Sequence, residues 1–326
     1  MVYRRLGRSG LQISAISLGA WATVGESLDL EGTTRLMAEA FEAGVNFYDN
    51  AETYGDGEAE RLMGRALRKL AWPRESYLVS SKVFWGTGGI GPTARGLSRK
   101  HVLEACDQAL ARLGLEHLDL YLCHRPDPET PVEETVRAMS DLISHHGKVL
   151  YWGTSEWPAA LIAEADEFAR ANGLIPPVTE QAQYNLFVRR RVEEEYAELY
   201  ERLGLGLMVW SPLAYGLLAG RYQSSIPADA RLGREGYGWL RAEILGDDGD
   251  RRLEAARRFG ELAREHGLSP ARLGMAWVLA NQNVSTAITG ASRPEQLRDT
   301  LGAIELVEAG VVAGLADEIE PLFAES

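Results

Sequence analysis

The chain has 326 residues, enough for two average domains or one large α/β barrel, and its 45% hydrophobic and 25% charged residues exclude a disordered or fibrous protein. A formal net charge of −13 argues against a nucleic-acid-binding surface. The two cysteines, Cys106 and Cys123, have neither zinc-site nor redox-pair spacing and read as reduced, buried thiols of a cytoplasmic protein. The N-terminal MVYRRLGRSG has no apolar signal region, and no apolar run approaches the ~20 residues that membrane insertion needs. The short RRR at 189–191 and EEE at 193–195 read as a solvated helix face rather than a binding patch.

In chain order, YRRLGRSGLQIS carries two glycine turns and reads as a hairpin under a larger fold. Eight strand-like runs follow: 13–19, 45–50, 77–82, 118–124, 149–155, 178–184, 205–212 and 285–292. They are short, rich in Val, Ile, Leu and Tyr, and only partly alternating, as parallel strands buried on both faces are. Helix-like segments separate them. One at 99–113 places Val102, Cys106, Ala109, Leu110 and Leu113 on one face at helical spacing. A second, at 130–146, opens with Thr130, Pro131 and Glu133, a capping box with proline at the first helical position, and Gly147 stands at its end. Pro158 and Gly173 bracket the next helix in the same way. The alternation predicts a closed (β/α)8 barrel, and no G-x-G-x-x-G follows the first strand to support a Rossmann sheet. Residues 213–250 form a long glycine-rich connection after the seventh strand, of the kind that is usually functional, and a helical tail covers roughly 306–324. No linker divides the chain, so one domain over 1–326 is expected.

Three of the strand runs end in chemically useful residues: Asp49, Lys82 and His124, with Tyr54 five positions past Asp49. A barrel's active site lies at the C-terminal ends of its strands, where these side chains would meet. A tyrosine phenol titrates near ~10, and a neighbouring ammonium lowers that value. Lys82 is the candidate ammonium, Asp49 would hold it, and His124 could orient a carbonyl or share the proton relay. That chemistry suits carbonyl reduction, with the hydride supplied by a nicotinamide cofactor. An Asp–Lys pair at a barrel rim also occurs as structure alone, and a lone histidine is more often structural than catalytic. A hydrolase or Schiff-base aldolase built on Lys82 is a further alternative, which leaves Trp210 and the SRPEQ segment unexplained.

The strings DNAETYGDGEAERLMGRAL, SSKVFWG, LDLYLCHRPDPETPVEETVRAM, YWGTSEW, EQAQYNLF, WSPLAYGLLAGRY and GASRPEQL, in that order, resemble the aldo-keto reductase superfamily along nearly the whole chain. They are most similar to the branch containing the β-subunits of voltage-gated potassium channels and their bacterial relatives. The resemblance implies a (β/α)8 TIM barrel, NADP(H) as cofactor and reduction of small-molecule aldehydes and ketones. The family's catalytic tetrad falls on Asp49, Tyr54, Lys82 and His124. The channel subunits carry asparagine where His124 stands, so the alternative of a cofactor-binding regulatory subunit with little turnover is the weaker reading. The branch also implies a homo-oligomer, a tetramer.

The same resemblance implies a cofactor site. Ser155 and Gln181 match positions that bond the nicotinamide amide, and Trp210 matches the residue stacked on its ring. Ser211, Pro212, Leu213, Ala214 and Gly216 match the loop along the pyrophosphate, with Arg221 and Arg231 as basic residues near it. Gly290, Ser292, Arg293, Gln296 and Asp299 match the segment at the adenosine phosphate, while Thr300 replaces a frequent asparagine. Glu156 stands where the channel subunits have arginine, so no contact is carried over there. Trp21, Asp49 and Tyr54 are expected beside the cofactor as well, and Trp21, Trp85, Tyr54 and His124 around the substrate. Independently of the family, Ser292-x-x-Glu295 with Pro294 marks a helix start, where backbone N–H groups favour an anion. Arg293 in that first turn is opposed by the helix dipole, so a negative group should offset it: a 2′-phosphate, or a capping carboxylate such as Glu295. Phe84, Trp157 and Tyr215 are further aromatics near strand ends.

Overall fold

The computed structural model describes residues 1–89, 91–222, 231–233 and 236–324, apart from the Arg231 side chain. Strands β1 (Tyr3–Arg5) and β2 (Gln12–Ser14) form an antiparallel hairpin. Eight further strands close a barrel: β3 (Ile16–Gly19), β4 (Phe47–Asp49), β5 (Leu78–Val83), β6 (Leu118–Cys123), β7 (Val149–Ser155), β8 (Thr179–Gln183), β9 (Gly206–Trp210) and β10 (Val284–Thr289). The ring runs β10-β3-β4-β5-β6-β7-β8-β9, every pair parallel. The eight predicted runs thus become the eight barrel strands: 149–155 is matched in full, β5 and β10 reach one residue beyond their runs, and the first run divides between the hairpin strand β2 and the barrel strand β3.

Between them lie α1 (Leu30–Glu42), α2 (Glu58–Leu70), α3 (Arg99–Leu113), α4 (Val132–Ser144), α5 (Ala159–Ala171) and α6 (Ala197–Leu203). After β9 come α7 (Gly238–Leu245), α8 (Gly249–Glu265) and α9 (Pro270–Ala280), and α10 (Pro294–Leu301) follows β10. The tail begins earlier than predicted, as three short helices at Ala303–Glu308, Val311–Gly314 and Ala316–Ile319. On α3 the five residues read from spacing are all buried, Cys106 among them, and both cysteines are free thiols. The connection over 213–250 is not featureless. It holds a 3-10 segment at Ala214–Ala219, another at Arg231–Gly233, and α7.

The barrel interior is closed from below by the hairpin. Leu6 and Ile13 pack with Phe47, Leu120, Leu122, Met208 and Ile288 in an apolar plug. Gly7 makes this docking possible: at φ +56° its Cα lies so close to the start of β9 that a Cβ would sit 2.3 Å from the Gly204 oxygen.

Three capping expectations are corrected. Helices α4 and α5 begin after Pro131 and Pro158, which occupy the N-cap with ψ of 138° and 145° rather than the first helical position. No side chain caps α4, and the Thr130 hydroxyl donates to Asp127 Oδ2 at 2.8 Å instead. Before α10, Pro294 forces its predecessor into an extended conformation, so Arg293 (φ −145°, ψ 144°) is the N-cap and Ser292 lies outside the helix. The arginine and glutamate triplets at 189–195 pair at i,i+4 along a π-helical turn, Arg191–Glu195, as a solvated face.

Candidate active site

Parallel register sets the site. Asp49 ends β4, Lys82 stands near the end of β5, and His124 leaves β6, so three neighbouring strands deliver three side chains to one rim. The loop after β4 turns back, and Tyr54 joins them. Lys82 is fully buried, and its Nζ donates to Asp49 Oδ2 at 2.6 Å, to the Asn50 carbonyl at 2.8 Å and to Tyr54 Oη at 3.2 Å. The other Asp49 oxygen accepts from Ser80 Oγ at 2.7 Å and Gln181 Nε2 at 3.1 Å. With its oxygen already accepting from Lys82, the Tyr54 phenol keeps its own O–H to give away.

The His124 ring lies edge-on to Tyr54, centroids 5.7 Å apart, and to Trp85 at 4.6 Å. Its buried Nδ1 has no hydrogen-bond partner among the described residues. Burial, then the charges of Lys82 and Arg125, push its pKa well below the ordinary 6.5, so the ring is neutral. Burial would also lower the Lys82 pKa, but the Asp49 carboxylate and Tyr54 more than offset it, and the ammonium is held above its ordinary range. Tyr54 differs from expectation. Lys82 pulls its pKa down as the sequence suggests, but burial, helped by Asp49, outweighs that pull and the net shift is upward. The low-dielectric setting that brings Lys82 close also penalises the phenolate.

These groups open into a cavity of about 830 Å³, within the ~300–1,000 Å³ usual for small-molecule sites. Its wall includes Trp21, Tyr54, Trp85, His124, Ser155, Gln181 and Trp210 near the cluster. It continues past Ser211, Pro212, Leu213, Gly216 and Arg221 to Gly290, Ser292, Arg293, Gln296 and Asp299. Two expected residues, Ala214 in the loop and Lys82 behind Tyr54, are buried and do not form part of this wall, and the Arg231 side chain lies outside the described residues. Trp157 is also not part of it, being buried with its carbonyl bonded to Tyr196 Oη. Arg293 lines the cavity at the α10 N-terminus and forms no ion pair among the described residues, since Glu295 pairs with Arg298 instead. An unbalanced cation at a helix N-terminus fits a phosphate-bearing cofactor.

Several contributors were not read from the sequence. Ser80, two residues before Lys82 on the same inner face, braces Asp49; period-two counting along β5 would have found it. Glu156, at a strained φ of +58°, accepts from Trp210 Nε1 at 2.9 Å and Gln183 N at 2.7 Å, and pairs with Arg191. It fixes the orientation of the Trp210 indole. Trp239 and Glu243 of α7 and Arg125 after His124 also line the cavity. Arg125 was in reach of the strand-end rule.

Residues 15–311 match the sequence profile of the Aldo/keto reductase family. The chain belongs to that family. Two plant proteins described as "Probable voltage-gated potassium channel subunit beta" are similar to this aldo/keto reductase. The one from Oryza sativa subsp. japonica is 46% identical over 321 residues, 98% of this chain and 96% of that protein. The one from Arabidopsis thaliana is 44% identical over 308 residues, 94% of this chain and 92% of its own. Among the described residues of the aldo/keto reductase, no helix is long and apolar enough to cross a membrane.

Proposed function

We propose that the chain is an NADPH-dependent reductase of small aldehydes and ketones. The observation that carries this reading is the hydrogen-bonded series Asp49–Lys82–Tyr54, opening beside a neutral His124 into a cavity that extends to Arg293. Reduction of a carbonyl to an alcohol needs one hydride at carbon and one proton at oxygen. The bound nicotinamide cofactor supplies the hydride. Tyr54 holds the proton, since its raised pKa keeps the phenol protonated at neutral pH. Lys82, charged and 3.2 Å from Tyr54 Oη, stabilises the phenolate left behind. A neutral imidazole retains one N–H with which His124 can orient the carbonyl oxygen. Trp210, Ser155 and Gln181 would hold the nicotinamide end, and Arg293 the phosphate end.

The test mixes purified protein with NADPH and a panel of small aldehydes and follows loss of the reduced-nicotinamide absorbance. Turnover supports the reading; bound cofactor with no turnover on any aldehyde overturns it. That second outcome would favour a regulatory subunit, the reading that the names of the two plant relatives suggest.

A further inference from the structure

We propose that Arg125 is a substrate anchor that selects carbonyl compounds bearing a carboxylate; this deepens, and rests on, the reductase reading. Arg125 follows His124 directly, is half-buried, and lines the cavity. Its Nη1 donates to the His124 carbonyl at 2.5 Å and lies 3.4 Å from Ser155 Oγ, and its guanidinium carbon sits 5.1 Å from the Trp85 ring centroid. All three partners are neutral, and among the described residues Arg125 forms no salt bridge. A cation facing a cavity without a counter-ion is unusual in a chain carrying 47 acidic against 34 basic side chains.

The cofactor's phosphates are an unsuitable counter-ion for this group. The cations that suit them, Arg221 and Arg293, follow β9 and β10, whereas Arg125 follows β6. In the ring order β10-β3-β4-β5-β6-β7-β8-β9, β6 stands opposite β10. Arg125 therefore stands beside the catalytic cluster, across the barrel from the cation that follows β10. The acidic residues of the cavity wall do not pair with it either. Asp49 is held by Lys82, and Asp299 accepts from Ser269 Oγ at 2.6 Å beside Arg272, while Glu243 belongs to α7. A planar guanidinium fixed against an indole face presents a pre-oriented fork to a planar carboxylate. The substrate's aldehyde or ketone would then lie between that fork and Tyr54.

The experiment compares kcat/KM for the three carboxybenzaldehyde isomers with that for their methyl esters, in the wild type, Arg125→Gln and Arg125→Lys. The isomers vary the distance between carbonyl and carboxylate. The wild type should favour at least one acid over its ester by about tenfold, mostly through KM, as one charge-assisted contact allows. R125Q should bring that ratio close to one, and R125K should recover part of it. Turnover of esters with no acid preference, or a preference that R125Q leaves intact, overturns the anchor while the reductase reading stands. Should no compound be reduced, the reductase reading falls, and calorimetric titration of the same acids into the NADP+-loaded protein decides the anchor. About tenfold weaker binding by R125Q supports it, and equal binding overturns it.

Discussion

The two ends of the barrel are built on opposite terms, although the same strands supply both. On β4, Phe47 belongs to the apolar floor and Asp49, two residues on, to the polar rim. On β6, Leu120 and Leu122 fill the interior before His124 emerges, and on β9 Met208 precedes Trp210. Inner-facing positions recur every second residue, so two residues along a strand separate packing from chemistry. Backbone strain follows the same division. Of the seven described non-glycine residues with positive φ, six (Ala22, Asp56, Glu156, Ser211, Ala214 and Tyr215) sit in loops at the rim, and the seventh, Ala71, caps the C-terminus of α2; each such position costs of order 1–3 kcal/mol. The floor hairpin takes its own left-handed turn with a glycine, Gly7. Polarity and strain are concentrated where the cavity opens, and the plug beneath holds them in place.

Substitutions at the two ends should therefore fail differently. The largest effect is expected at Lys82→Met. It leaves Asp49 buried without its ammonium, which costs about 3–5 kcal/mol of stability, and it removes the group that stabilises the Tyr54 phenolate. Urea denaturation and turnover should both fall; full stability would show that Asp49 is satisfied without Lys82. Tyr54→Phe should separate the two properties. Loss of a positioned proton donor lowers kcat by about 10²–10⁴-fold, whereas the melting temperature and NADPH binding should stay close to wild type. Residual turnover within a few-fold of wild type would reassign the proton donor. At the floor, Leu6→Ala removes a fully buried side chain from the plug and should cost about 2–5 kcal/mol. The folded fraction should keep its kcat; a loss of kcat at full folding would mean that floor and rim are coupled.

The barrel was legible because eight buried parallel strands leave a repeating apolar signature that helix spacing interrupts. Three tetrad positions were legible for a related reason: Asp49, Lys82 and His124 each terminate such a run. The helix starts were less so. A proline near a helix N-terminus fits the N-cap as well as the first turn, and Pro131, Pro158 and Pro294 divide between the two. Side-chain networks were legible least. Spacing along β5 puts Ser80 on the inner face, but its partner Asp49 depends on which strands become neighbours, and Glu156 on Trp210 depends on one residue held at positive φ, which local spacing does not encode. The pKa of Tyr54 could be read only in part, because the sequence names the neighbouring ammonium but not the burial that outweighs it.

The smallest expected effect tests the electrostatics of the rim. The His124 pKa lies well below 6.5 in the folded chain and returns to about 6.5 on unfolding. Below that value the unfolded chain takes up a proton that the native chain does not. Stability from this group is therefore fully present above pH 6.5 and is lost as pH falls toward the folded pKa, by at most about 1.4 kcal/mol per pH unit. His124→Gln removes this linkage while keeping a polar side chain. Urea midpoints at pH 7, 6 and 5 should fall more steeply for the wild type than for H124Q, although carboxylates elsewhere add a common slope to both. The difference between the two curves isolates the histidine. Parallel curves would mean that His124 titrates alike in both states, and the neutral imidazole assigned to the rim would be wrong. In kinetics, the same neutrality predicts no change of kcat attributable to a group titrating near 6.5.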